Sequence, residues 1–183
     1  MDATIREHKF SLRSEYDIES PKASYTAQKA LLSFLDKVEV QTGSGSVVAT
    51  IHGNFSLFRA NYDFAFADGR NFHYECEKFW KGVYACQCAE EIYHLFQHKG
   101  VRYSIFKGED QVAAITGNRL IVGSGHEYDI RMNADADFLV IACMILALNT
   151  ADEDGSDNDS TFTYDFGNIG PEDRRFDESW QPQ

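Results

Sequence analysis

Residues 138–148 read FLVIACMILAL, an apolar run with no polar face. It constrains the fold more than any other stretch of the chain. A hydrocarbon core takes roughly 20 apolar residues to cross, so this run is too short to span a membrane as a helix. A helix that is hydrophobic all round must be enclosed by protein instead. Asn133, Asp135 and Asp137 stand just ahead of it. Their short polar side chains can cap free N–H groups, and negative charge there complements the helix dipole. The pattern predicts one buried helix from about Ala134 to Asn149, closed by Asn149.

What surrounds that helix is β-patterned. Short alternating runs recur at residues 5–10, 16–19, 24–29, 38–41, 47–51, 62–67, 71–75, 83–88, 93–97, 101–106, 112–116 and 128–131. Turn residues divide them at 43–46, Asp68-Gly69, Lys99-Gly100, 107–110 and 123–125. Regular short strands separated by such turns mark an antiparallel barrel or sandwich. Only residues 90–98 leave an alternative, because Ile92, Leu95 and Phe96 also fall at helical spacing. The chain repeats as well. Phe10-Ser-Leu12 followed by Tyr16-Asp-Ile18 recurs as Phe55-Ser-Leu57 followed by Tyr62-Asp-Phe64. Val48-Ala-Thr-Ile51 with Gly53-Asn54 recurs as Val112-Ala-Ala-Ile115 with Gly117-Asn118, and Tyr128-Asp-Ile130 is a third echo. Such units cannot bury their apolar faces alone, so they are expected to curl around a common core.

Charge divides the chain. The formal net charge is −12, and residues 152–183 carry ten acidic against two basic residues. Neither part has the basic footprint of phosphate recognition, which argues against nucleic acid as a partner. The N-terminus lacks the apolar stretch of a secretory signal. A cytoplasmic protein, peripheral to a membrane at most, is therefore expected, with Cys76, Cys86, Cys88 and Cys143 reduced. Cys143 falls inside the apolar run, where a thiol behaves as a small hydrophobe. Cys86-x-Cys88 with Cys76 is too closely spaced for the usual structural zinc set.

The order of these elements, with Phe-Ser-Leu…Tyr-Asp-Ile units, Val-Ala-x-Ile strands and one late hydrophobic helix, resembles the LURP-one-related family. That family belongs to the tubby-like and phospholipid scramblase superfamily, and the resemblance runs from about Ile5 to Ala151. It implies a mainly β domain over residues 1–151: a closed antiparallel barrel of about twelve strands around a central helix. Residues 152–183 follow as an acidic C-terminal tail. In that tail Phe162, Tyr164 and Phe166 alternate at strand period, with Phe176 and Trp180 further on. It is expected to dock on its own barrel, or else to serve as a peptide read by a partner.

A helix filling the barrel leaves no room for an enclosed active site, so any ligand is expected outside. No acid and base stand at catalytic spacing, and a non-enzymatic module without a cofactor is expected. Tubby-type domains bind phosphoinositides through basic residues. The resemblance therefore implies an anionic lipid headgroup, or a protein partner. Lys78 and Lys81 flank Phe79-Trp80, so Lys78, Trp80 and Lys81 form the candidate lipid-binding cluster. The plainer reading makes this a strand corner with Trp80 packed inward. Asp135 and Asp137 resemble the opening of the acidic calcium-linked segment of scramblases. No further oxygen ligands follow them, whereas calcium takes six to eight, so capping is the favoured role. A scramblase-like lipid-handling protein, or an enzyme with a site in an exterior groove, is the alternative. His94 and His98, four apart, would share a metal only on a helix.

Overall fold

A computed structural model describes residues 1–10, 13–29, 37–54, 60–89, 91–119, 125–154 and 172–183. Twelve strands form a closed antiparallel barrel. In chain order they are β1 (Asp2–Phe10), β2 (Arg13–Glu19), β3 (Ser24–Lys29), β4 (Lys37–Thr42), β5 (Val47–Gly53) and β6 (Asn61–Phe66). There follow β7 (Asn71–Lys78), β8 (Val83–Gln87), β9 (Ile92–His98), β10 (Arg102–Lys107), β11 (Asp110–Arg119) and β12 (His126–Met132). Each strand pairs with its neighbour in sequence, and β1 pairs with β12 to close the ring. Closure leaves no unpaired strand edge. Residues 92–98 form a strand, not a helix, because both sides of β9 are taken by ladders to β8 and β10.

Alternation along each strand sends one set of side chains inward. Ile5, Ile18, Ile51, Phe64, Tyr74, Leu95, Ile105 and Ile130 are among the buried inner side chains. They meet one helix among the described residues, α1 (Phe138–Asp154), inside the barrel. From Val140 to Leu148 every α1 side chain is buried. Burying each of its Leu, Ile, Val and Met side chains contributes roughly 1.5–3 kcal/mol relative to exposure.

The helix begins later than its sequence predicts. Residues 134–136 form a turn, and the Asp137 carboxylate accepts a hydrogen bond from Val140 N–H at 3.1 Å. Asp137 is thus the effective cap. The far end also differs. Asn149 does not close α1, which continues to Asp154. Its buried side chain instead accepts from Tyr128 O–H and donates to Tyr16 Oη, both at 3.1 Å. These bonds satisfy a polar group that lies within the core, so the helix passes through Asn149 without a break.

In an up-and-down ring, turns fall alternately at the two ends. The β2–β3, β4–β5, β6–β7, β8–β9 and β10–β11 turns share one end with the start of α1. There Arg70, in the β6–β7 turn, bridges Asp68 and Asp137 and lies over the rings of Phe66 and Phe72. Lys22, in the β2–β3 turn, donates to Ala134 O at 2.6 Å. The β7–β8 and β9–β10 turns lie at the opposite end, where α1 finishes. No described helix is long and apolar enough to cross a membrane.

Candidate functional site

The ring of strands has two kinds of outer wall. On β2 and β6, outward positions such as Asp17, Asp63 and Ala65 are exposed. Several carry polar ladders: His8 faces Asp17 at 2.7 Å and His73 faces Asp63 at 2.7 Å. His73, with Asn54, draws the Asp63 carboxyl below its usual range by hydrogen bonding. On β9 and β10 the outward positions Phe96, His98, Arg102, Ser104 and Phe106 tell another story. His98 and Ser104 are 1% exposed and Phe106 is 9%, although none of them points into the barrel.

Residues 172–183 lie against this second wall. The Phe176 ring centroid stands 5.2 Å from that of His98, and the Arg102 guanidinium is 5.1 Å from the same Phe176 ring. Arg102 also pairs with Glu178 at 2.8 Å. Asp173 pairs with Lys78 at 2.6 Å. Glu172 faces His98 Nδ1 at 3.4 Å and accepts from the Lys99 N–H at 3.4 Å. Arg174 reaches over Phe106 and Phe96, with its guanidinium 4.3 Å and 5.5 Å from their centroids, and pairs with Glu109 at 2.7 Å. Further along, Gln183 N–H donates to Asn133 Oδ1 at 2.9 Å while its carbonyl accepts from Ala134 N–H at 3.1 Å.

His98 is the hinge of this contact. Its Nε2 meets Ser104 Oγ at 2.8 Å. A carboxylate at Nδ1 fixes the neutral ring with its proton on Nδ1, leaving Nε2 to accept from the serine hydroxyl. Burial pushes the His98 pKa down, partly opposed by Glu172, so the ring is held neutral. Burial also pushes the Cys86 and Cys143 thiols well up, which keeps both as inert core groups.

The candidate lipid cluster sits beside the start of this contact. Residues Phe79–Lys81 form a single 3-10 turn between β7 and β8, closed by Gly82 at φ 58° with its N–H on Phe79 O. That left-handed backbone suits glycine, which has no Cβ to clash. The turn pushes its aromatic residues outward: Trp80 is 55% exposed and Phe79 43%. Their rings meet edge-on at 5.2 Å between centroids. Trp80 is therefore not packed inward. Lys78 stands next to it, already engaged by Asp173, which raises the lysine pKa through their hydrogen bond. Lys81 is half-buried on the other side.

The two acidic positions before α1 separate. Asp137 is committed to Arg70 and to the helix cap, while Asp135 is exposed. No group of three or more His, Cys, Asp or Glu side chains among the described residues is arranged to hold a metal. His94 and His98 share the outer face of β9, yet His94 turns to Glu77 at 3.7 Å and His98 to Glu172. Phe162, Tyr164 and Phe166 lie outside the described residues. Sequence reasoning missed the wall formed by His98, Arg102 and Phe106. Its only trace was an acidic, aromatic tail in the same chain as a strand pair with basic outward residues. Comparison of the chain with family models, with curated proteins and with solved structures returned no match in any of the three.

Proposed function

We propose that this protein is a non-enzymatic binding module that meets an anionic membrane surface at the β7–β8 corner. The observation that carries this reading is the outward Phe79–Trp80 pair between Lys78 and Lys81, on a barrel whose interior is filled by its own helix. Indole and phenyl rings partition to the headgroup boundary, and flanking lysines add attraction to anionic lipid worth about 1 kcal/mol each. The motif order that resembles the LURP-one-related family, together with the barrel around a helix, supports placing the chain there. The rest of the chain is acidic, so contact would be local and oriented, with the far walls held away from the surface.

Vesicle flotation tests the reading. Binding to vesicles rich in anionic lipid should weaken as salt rises and fall severalfold with Trp80→Ala or with Lys78→Glu plus Lys81→Glu. Absence of flotation with any anionic composition, from a chain that still melts cooperatively, would remove the membrane as ligand.

A further inference from the structure

We propose that the outer face of β9 and β10 is a peptide-recognition groove for acidic segments carrying one aromatic anchor. Residues 172–183 fill it as a tethered ligand of that class. The proposal does not depend on the membrane reading, although Lys78 borders both sites.

The floor of the groove is set by the strands themselves. Strand alternation sets Phe96 and His98 on the outside of β9 and Arg102, Ser104 and Phe106 on the outside of β10, and the β9–β10 ladder brings the two rows together. Register places Ser104 directly opposite Phe96. Ser104 orients the His98 ring from below, so one nitrogen faces the incoming carboxylate. Arg102 offers a planar cation that contacts both the aromatic anchor and a carboxylate two residues beyond it. Lys78 takes a third acidic group three residues before the anchor. Beside these cations Phe96 and Phe106 form an aromatic floor that takes the Arg174 guanidinium, so the complement of the strip is an acidic segment with one arginine and one ring.

Two features say that the occupant can be exchanged. First, it is held mostly by side chains. The segment 172–183 contains no strand, and its main-chain hydrogen bonds to the barrel are those of Gln183 with Ala134 and Asn133. A different peptide with the same spacing of acid, arginine, ring and acid (Asp173, Arg174, Phe176, Glu178) satisfies the same side-chain contacts. Second, its ion pairs are largely solvent-exposed, notably at Glu178 and Glu109, and pairs of that kind are weak and screened by salt. In sequence, residues 155–171 lie between α1 and the segment. Tethering keeps the cis occupant in place chiefly by effective concentration, which a free ligand of equal chemistry must overcome.

The test titrates a fluorescent peptide of residues 172–183 onto two full-length chains: wild type, and a chain with Phe176→Ala plus Glu178→Lys, whose own segment is loosened. Anisotropy should show saturable binding to the loosened chain, at least tenfold tighter than to wild type because the tethered competitor is weakened. Binding should fall with salt. It should be lost when the peptide carries Phe176→Ala, or when Arg102→Ala is added to the loosened chain. Circular dichroism and a cooperative melt establish that each variant is folded. A folded, loosened chain that ignores the peptide overturns the proposal, as does equal binding of the Phe176→Ala peptide or indifference to Arg102→Ala. A wild-type dimer in light scattering that becomes monomer on Phe176→Ala overturns the free-peptide ligand in favour of exchange between two copies.

Discussion

Two segments pack against the same sheet from opposite sides, and they do so by different physics. From Val140 to Leu148, helix α1 covers the inner face with side chains that are apolar in every direction and buried. Residues 172–183 cover part of the outer face with charges, one phenylalanine and a ring of weak contacts. The inner segment is fixed by shape and by removal from water, which salt and pH scarcely change. The outer segment is fixed by charge complementarity, which both can undo. A closed barrel thus has one permanent lining and one conditional one.

The sharpest way to break that contrast is mutational. Leu146→Ala should cost about 2–5 kcal/mol in denaturant unfolding, since a cavity opens among strands that cannot collapse onto a rigid helix. Phe176→Ala should cost about 1 kcal/mol or less, the worth of one exposed cation–π contact and a partly covered ring. Comparable losses from the two would mean the outer segment is part of the core after all.

Acid should separate the two linings next. His98 has an ordinary value of 6.5 and is depressed in the docked protein, so an exposed His98 takes up a proton before the docked ring does. Stability from this contact is complete above pH 6.5 and declines as pH falls from there toward the depressed value. Glu172 and Arg102 face the ring with opposite effects, and burial dominates. The melting temperature should drop on mild acidification, and His98→Gln should flatten that slope between about pH 7 and the onset of carboxylate titration. An unchanged slope in His98→Gln would assign the acid sensitivity elsewhere. The smallest effect expected is on Lys78: Asp173→Asn frees it and should raise vesicle flotation modestly, by roughly the worth of one lysine near an anionic surface.

The inner lining was legible in the sequence, whereas for the outer one the sequence offered a docked tail without the wall that receives it. An apolar run such as residues 138–148 announces burial without knowledge of its partner, and alternation in the strands announces an inner face. The twelve strand positions accordingly fall where the alternation puts them. Helix boundaries were less legible. Asn149 looks like a terminator by type, but its role depends on Tyr16 and Tyr128, which are distant in sequence. Ion pairs between Asp173 and Lys78, or Glu178 and Arg102, join positions 95 and 76 residues apart. Exposed charges carry no periodic signal of their own, so nothing in a linear pattern couples those positions. The β7–β8 corner was half legible. Its composition marked Lys78, Trp80 and Lys81, while the direction of Trp80 was set by Gly82, whose left-handed backbone only the folded turn reveals.

One consequence of the chain order reaches back to synthesis. All twelve strands leave the ribosome before the hydrophobic plug that they enclose, because α1 follows β12. Until α1 has emerged, the sheet has tyrosines and phenylalanines facing a void, and only the β1–β12 ladder is available to close it. Exposed apolar surface of that kind invites misassembly, so moving the plug further from the strands that enclose it should raise chaperone demand.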